Sequence, residues 1–116
     1  MSKIDDPTRL RHMLEYSRMA LQLVDGETRD SLEHDIKLSL ALTRLLEIVG
    51  EAGVNVSEGK QAELRGIEWA KIRGMRNRIV HAYFDVDLDV VWDTVLLSLP
   101  PLVAQLEQVI DLEGTV

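Results

Sequence analysis

A permanent cation, a titratable imidazole and a phenol lie close together in the sequence, at Arg76, His81 and Tyr83. An arginine side chain keeps its positive charge in a protein, so Arg76 is a lasting binding group for a phosphate. A histidine has an unperturbed pKa of roughly 6.5, so His81 can accept or donate a proton near neutral pH. Together these groups could cut a phosphodiester bond without a metal ion.

The length and composition of the chain narrow the classes of protein it can be. Its 116 residues predict a single domain over 1–116. The sequence has no cysteine, which excludes disulfides, thiolate catalysis and cysteine-based metal sites. No apolar run reaches the ~18 residues of a membrane span, and the amino-terminal residues lack the apolar stretch of a signal peptide. We therefore expect a cytoplasmic protein that does not associate with a membrane.

Charge is distributed unevenly along the chain. The net charge of −7 argues against bulk nonspecific binding of nucleic acid. Residues 60–78 contain six basic and two acidic side chains, a local balance of +4, which leaves −11 for the remaining residues. A basic segment on an acidic body can attract a phosphate locally while the body repels a long polyanion. The less specific interpretation of this segment is a solvated helix face.

Hydrophobic periodicity predicts an all-α protein whose four helices form an up-down bundle. The expected helices, with the residue that caps each, are 7–24 after Asp6, Thr28 to about 52, 58–82 after Ser57, and about 88 to Gly114 after Asp87. Gly50 interrupts the second helix, which suggests close packing against a neighbouring backbone, although it could also just mark a frayed helix end. Pro100 and Pro101 must kink or split the fourth helix, because proline lacks the amide and clashes with the preceding turn.

Helical spacing divides the candidate site residues between two faces of the third helix. Asn77 and His81 are four residues apart and share a face, which Arg73 extends by another turn. On a straight helix, Arg76 and His81 are offset by roughly 140° and do not converge easily on one phosphate. Either the helix unwinds before His81, or the site is completed across the two-fold axis of a dimer.

His81, Tyr83 and Gly74 also have ordinary structural explanations. A histidine near the end of a helix stabilises the negative end of the helix dipole. Tyr83 can anchor the helix end to the core, and Gly74 can mark a close crossing of helices or a subunit interface. These alternatives stay open on local evidence, so the short motif by itself does not establish a catalytic site.

The sequence offers little support for a metal site or a cofactor. His12 and His34 are isolated from other candidate ligands. Glu47 and Glu51 are spaced for one helical face and could bind a divalent ion, but exposed glutamate pairs are common. The chain has no glycine-rich phosphate loop and no dinucleotide-binding fingerprint. We therefore predict neither a metal nor a cofactor.

The spacing Arg76-x4-His81-x-Tyr83, with Asn77 after the arginine, resembles the Rx4HxY signature of HepT-type toxins in the HEPN superfamily. The flanking sequence is also similar to that family, over roughly residues 7–110. The similar segments are Glu47–Ala52, Ile67–Asn77, Tyr83–Asp87, Val91-Trp92 and Leu99-Pro100. The short signature would be a weak match alone, whereas the signature and its flanks together form a specific one.

The resemblance implies a HEPN-type bundle of four to five helices, a homodimer with a cleft at the two-fold axis, and metal-independent cleavage of RNA. Arg76 would hold the scissile phosphate, and His81 would be the general acid–base group for attack by the ribose 2′-hydroxyl. Asn77 would orient the site, and Arg73 and Arg78 would add contacts to RNA phosphates. Since the nucleophile is the 2′-hydroxyl, DNA is not an expected substrate.

The resemblance also implies a partner, a minimal nucleotidyltransferase antitoxin of the MntA type. That antitoxin would transfer AMP to Tyr83, which would place bulk and negative charge where the RNA phosphate must bind. The chain would then be the toxin of a type VII toxin–antitoxin system. One alternative is a noncatalytic helical partner or accessory subunit of a nucleotidyltransferase, and another is a purely structural bundle.

Overall fold

The structure, a computed structural model, describes residues 4–80 and 86–113, and this part of the chain contains helices and no strand. The all-α prediction is therefore confirmed. The elements are α1 (Asp6–Leu23), α2 (Ser31–His34), α3 (Ile36–Val54), α4 (Glu58–Glu63), α5 (Trp69–Val80), α6 (Leu88–Asp93), a π-helical segment (Thr94–Ser98) and α7 (Leu99–Glu113). Helix α3 packs against α1 and α5, and α7 packs against α1. Within the described ranges, no helix is long and apolar enough to cross a membrane.

Helix α1 is capped by Asp5 rather than by Asp6, so the predicted cap is wrong by one residue. The Asp5 side chain accepts a hydrogen bond from the backbone N–H of Thr8 at 2.9 Å. The Asp6 carboxylate instead accepts bonds from the backbone N–H and the hydroxyl of Ser57, at 2.9 and 2.6 Å. Asp6 therefore ties the start of α1 to the start of α4. After α1 the chain turns at Gly26, whose φ of +79° lies in the left-handed region that favours glycine.

The second predicted helix is two helices, because the chain breaks at Asp35. Its backbone is extended, with φ −120° and ψ 95°, and its side chain accepts a hydrogen bond from the Leu38 N–H at 3.1 Å. Aspartate often satisfies free amides in this way and so starts a new helix where the old one could have continued. Thr28 does not act as the predicted cap. Its own N–H donates to the Ser31 hydroxyl at 3.0 Å.

The third predicted helix is also divided, between α4 and α5. Ser57 caps α4 as predicted, because its hydroxyl accepts a bond from the Lys60 N–H at 3.2 Å. The helix then stops at 64–68, where the indole N–H of Trp69 donates to the Leu64 carbonyl at 3.0 Å and Ile67 is buried. This connection is therefore held against the core, and α5 begins with its own direction at Trp69. The predicted last residues of this helix, 81 and 82, lie outside the described residues.

The fourth predicted helix is disrupted before its two prolines rather than at them. Asp87 caps α6 as predicted, accepting bonds from the N–H groups of Asp89 and Val90 at 3.0 and 3.3 Å. A π-helical turn then precedes Pro100 and Pro101, which lie in the first turn of α7. Prolines donate no backbone hydrogen bond and crowd the preceding turn, so a wider turn there relieves the clash. The predicted end at Gly114 lies outside the described residues.

Aliphatic residues fill most of the core, together with Met13, Met75 and Trp69, in a chain whose aromatic content is only 4%. Helix α5 buries Ile72, Met75 and Ile79, which form a stripe along one face of the helix. The exposed side chains of α5 include Arg73 and Asn77. The buried stripe therefore fixes the rotation of α5, and with it the direction in which each candidate site residue points.

Candidate active site at Arg76

Helices α3 and α5 come into closest contact where Gly50 meets Arg76. A β-carbon added at Gly50 would lie 2.8 Å from Cβ of Arg76, a distance that real β-carbons essentially never show, and 3.1 Å from its Cγ, which is tighter than most real contacts. One at Gly53 would lie 2.6 Å from Cγ2 of Ile72. The predicted close packing at Gly50 is confirmed. The base of the Arg76 side chain is therefore held at the helix crossing.

The Arg76 guanidinium has one firm partner among the described residues. Its Nη2 lies 3.0 Å from Oε2 of Glu51, and the side chain is 36% exposed. Its Nε is buried and hydrogen-bonded to no described residue. A buried donor without a partner costs about 1–3 kcal/mol, so such groups are rare and often mark functional sites. Arg76 is thus partly buried and positioned by a carboxylate, with its outer end beside an open cavity.

That cavity has a volume of about 350 Å³ and lies among α1, α3 and α5. We call it the arginine cavity. Its charged and titratable lining residues are Arg9, His12, Arg44, Glu47, Glu51 and Arg76. Three arginines against two glutamates leave a charge of +1 with the histidine neutral, on a chain whose net charge is −7. The volume falls within the range of small-ligand sites, and the charge suits an anion such as a phosphate.

Asn77 and Arg78 line a different cavity. It has a volume of about 810 Å³ and lies between α5 on one side and the π-helical segment and α7 on the other; we call it the α5–α7 groove. Arg73 is exposed and lines neither cavity. Within one chain, the structure therefore does not bring Arg76 and Asn77 together, as expected from the rotation of about 100° per helical residue. His81 and Tyr83 lie outside the described residues.

The α5–α7 groove presents an open apolar surface. Beyond its own helix backbone, a β-carbon at Gly74 would meet no described atom within 4 Å, so Gly74 marks no helix crossing in the part of the chain that the structure describes. Leu97, which also lines the groove, is 71% exposed, and the neighbouring Leu96 is 42% exposed. The suggestion that Gly74 lies at a subunit interface remains a prediction.

Sequence reasoning missed three members of the arginine cavity, Arg9, His12 and Arg44. Arg9 and His12 are spaced for one face of α1, and that spacing was the available signal. No local pattern in the sequence indicates that this face of α1 meets Arg44 on α3.

The two glutamates of this cavity were considered for a divalent ion. Glu51 instead lies 3.0 Å from Arg76, and Glu47 lies 4.0 Å from Arg44, so each carboxylate has a cation beside it. Across residues 4–80 and 86–113, no three His, Cys, Asp or Glu side chains are grouped so as to hold a metal ion. The arrangement in this cavity therefore suits an anion better than a cation.

The comparisons with known proteins agree on one family. The family model "Ribonuclease HepT-like" matches residues 13–109. The chain is 31% identical over 104 residues to a "Putative RNase" of Caldanaerobacter subterraneus subsp. tengcongensis, covering 90% of this chain and 93% of that one. It is 34% identical over 93 residues to the "Probable ribonuclease HepT" of Thermococcus cleftensis, covering 77% and 84%. It is 29% identical over 115 residues to a "Putative RNase" of Methanocaldococcus jannaschii, covering 98% and 95%. No solved structure matches the chain.

Proposed function

Because this chain belongs to the HepT-like ribonuclease family, we propose that it is a metal-independent endoribonuclease whose catalytic residues are Arg76 and His81. We further propose that it is the toxin of a type VII toxin–antitoxin pair and acts in the cytoplasm. The observation that carries the proposal is the placement of Arg76. Its guanidinium is held by Glu51, has a buried Nε without a described partner, and borders a cavity of net positive charge.

Arg76 acts on the scissile phosphate. The negative charge on the phosphate oxygens rises as the ribose 2′-hydroxyl attacks phosphorus, and a fixed guanidinium stabilises that charge. The contact with Gly50 holds the side chain at its base, and the Glu51 carboxylate orients its outer end. Such pre-positioning lowers the reorganisation needed during the reaction.

His81 transfers the protons. A neutral imidazole removes the proton of the 2′-hydroxyl as its oxygen bonds to phosphorus, and the bond from phosphorus to the 5′-oxygen breaks. An imidazolium donates a proton to that leaving oxygen. The products are a 2′,3′-cyclic phosphate and a 5′-hydroxyl, and no oxidant, metal or cofactor is consumed. Two protonation states are needed at once, which two copies of His81 at a dimer axis could supply.

A homodimer would also bring together site residues that lie apart within one chain. Asn77 and Arg78 line the α5–α7 groove, away from the arginine cavity. Exposed Leu97 and the open space at Gly74 make this groove the natural contact surface for a second copy. Across a two-fold axis, Asn77 would face the partner's site and orient it, while Arg73 and Arg78 would contact RNA phosphates.

A minimal nucleotidyltransferase antitoxin would regulate the site by transferring AMP from ATP to Tyr83. The phenolic oxygen bonds to the α-phosphorus, pyrophosphate leaves, and the phenolic proton is released. The added phosphodiester carries a negative charge and bulk, so it would compete with RNA for the arginine side chains.

The test is cleavage of RNA by the purified protein with a chelator present. Arg76→Ala and His81→Ala should each reduce cleavage by at least a hundredfold, whereas Arg18→Ala should not reduce it. Arg18 is a fitting control because it pairs with Glu107 on the surface and lines neither cavity. Full activity in both site variants would exclude this assignment of the catalytic residues.

The second candidate function is a noncatalytic partner of a nucleotidyltransferase. The net charge of −7 favours it, since an acidic chain repels a long polyanion. This second function predicts that the protein does not cleave RNA. It also predicts that incubation with the nucleotidyltransferase and ATP adds the mass of one transferred AMP group to the chain, and that this gain depends on Tyr83. Intact mass spectrometry beside the cleavage assay separates the two functions.

A further inference from the structure

We propose that Arg9, His12 and Arg44 form a second phosphate subsite in the arginine cavity, which binds a phosphodiester of the RNA strand next to the one held by Arg76. This inference rests on the proposed function, because it takes Arg76 as the group that binds the scissile phosphate. It adds residues from α1 and α3 that lie outside the Rx4HxY segment, and it gives them a role in holding the strand rather than in the reaction itself.

The first argument is that basic side chains from three helices converge on one cavity. Arg9 and His12 come from α1, Arg44 comes from α3 and Arg76 comes from α5, and all four line one cavity. Four basic or titratable side chains from three helices meet there although the chain as a whole is acidic. Cations that gather in a concave site attract anions more strongly than the same charges spread over a surface.

The second argument is that these cations remain available. The Arg44 side chain is 71% exposed and lies 4.0 Å from Glu47, the outer limit of an ion pair. Hydrogen bonds from Ser57 to both Asp6 oxygens are the main cause of the lowered pKa of that carboxyl, and the charge of the nearby Arg9 contributes least. Among the residues that the structure describes, neither arginine is therefore committed to a tight ion pair, in contrast to Arg76 at 3.0 Å from Glu51.

The third argument concerns size and shape. The cavity volume of about 350 Å³ exceeds what a single phosphate group fills and is typical of sites for small organic ligands. The His12 ring packs edge-on against Tyr16, with ring centroids 6.0 Å apart, which restrains its orientation at the cavity. An imidazole N–H and two guanidinium groups are suitable donors to the oxygens of one phosphodiester.

The first experiment measures binding rather than cleavage. Fluorescence anisotropy follows a labelled 2′-O-methyl RNA of about a dozen nucleotides, which lacks the attacking hydroxyl, over a series of salt concentrations. The variant Arg9→Ala/Arg44→Ala should bind about tenfold more weakly, and its slope of log K against log salt should fall by about 1.4, since each contact to single-stranded nucleic acid contributes about 0.7. Arg9→Lys/Arg44→Lys keeps the charges and should recover most of the salt slope.

The matched control is Arg18→Ala/Arg65→Ala, which removes the same charge from side chains that line neither cavity. It should bind RNA within about twofold of the unsubstituted protein, because solvent-exposed charges outside the cavity are screened by salt. Equal weakening in both double variants would mean that only net charge matters, and would overturn the subsite.

The second experiment separates the subsite from the scissile phosphate. A dinucleotide has a single phosphodiester, so Arg9→Ala/Arg44→Ala should lose much less activity on it than on a longer RNA. On the longer RNA the same variant should lose about tenfold in kcat/KM, mostly through KM, because uniform binding is lost. Arg76→Ala should cleave neither substrate. If Arg9→Ala/Arg44→Ala lost as much kcat/KM on the dinucleotide as on the longer RNA, the subsite would be overturned.

The outcomes distinguish this inference from the proposed function. If the unsubstituted protein cleaves no RNA but the double variant still weakens RNA binding, the nuclease assignment fails and the subsite stands. If RNA is cleaved and the double variant binds it normally, the subsite fails and the nuclease assignment stands. Titration with free AMP and inorganic phosphate provides the last check. Loss of AMP binding with RNA binding unchanged would show a mononucleotide site instead.

Discussion

Gly50 on α3 lies so close to Arg76 on α5 that a β-carbon at position 50 would be 2.8 Å from the Arg76 Cβ. The glycine therefore sets the approach of the two helices at the residue proposed to bind the scissile phosphate. Glu51, the next residue, supplies the carboxylate that holds the guanidinium. Two adjacent residues of α3 thus fix both ends of the Arg76 side chain.

Gly50→Ala should lower the rate of RNA cleavage strongly while lowering the free energy of unfolding only modestly. Overpacking costs about 1–3 kcal/mol, and the better helix propensity of alanine offsets up to about 1 kcal/mol of it. Moving Arg76 by about 1 Å can reduce the rate by up to about a hundredfold. Urea unfolding and a cleavage assay measure the two effects. Gly59→Ala is the control, since a β-carbon there meets nothing within 4 Å. Unchanged cleavage by Gly50→Ala would contradict the role of this contact.

Glu51→Gln should lower kcat and also lower KM for RNA. The substitution removes a negative charge beside the substrate phosphate, which favours binding, but it weakens the ion pair that positions Arg76. We expect a fall in kcat of about tenfold and a change in unfolding free energy below about 1 kcal/mol, because the pair is partly exposed. Steady-state kinetics on one RNA substrate measure both constants. Glu15→Gln, at an exposed position of α1, is the control, and an unchanged kcat in Glu51→Gln would exclude positioning.

Asp6→Asn should destabilise the fold at neutral pH but not at strongly acidic pH. Hydrogen bonds from Ser57 hold the pKa of the Asp6 carboxyl below its usual value of 3.8. The folded-state pKa is thus lower than the unfolded-state one, so the stabilisation is present above about pH 3.8 and is lost as the pH falls through the folded pKa. We expect a loss of about 0.5–1 kcal/mol at pH 7. Urea unfolding at pH 7 and at a series of lower pH values measures it.

The exposed Asp25→Asn is the control for that measurement, because it makes the same charge change at a residue without this link to Ser57. It should show no such pH-dependent loss. A destabilisation by Asp6→Asn that persists undiminished in strong acid would contradict the assigned hydrogen bonds.

Leu97→Glu should convert a dimer to a monomer. The Leu97 side chain is 71% exposed, so the substitution should hardly change the stability of a single chain, whereas a buried glutamate at an interface is costly. Light scattering coupled to size-exclusion chromatography measures the mass. Leu40→Glu, at a 63% exposed position on α3, should remain dimeric. A monomeric unsubstituted protein, or a dimeric Leu97→Glu, would exclude the α5–α7 groove as the dimer contact.

Capping residues show where local sequence is sufficient and where it is not. Ser57 and Asp87 cap their helices as predicted, because a cap bonds to an N–H only two or three residues away. Asp6 fails as a cap because its carboxylate bonds to Ser57, 51 residues away in the chain. Asp35 breaks a helix whose apolar periodicity continues on both sides of it, so periodicity alone could not reveal the break.

The sequence by itself determined the all-α class and the family, because helical periodicity and a motif with its flanks are local patterns. It also predicts that Arg76 binds a phosphate. Only the tertiary structure decided which residues share a cavity with Arg76. Arg9, His12 and Arg44 join it because α1 and α5 both pack on α3, whose Gly50 and Gly53 permit the close approach of α5. Spacing assigns a side chain to a face of its own helix, but the packing of complementary surfaces decides which faces meet.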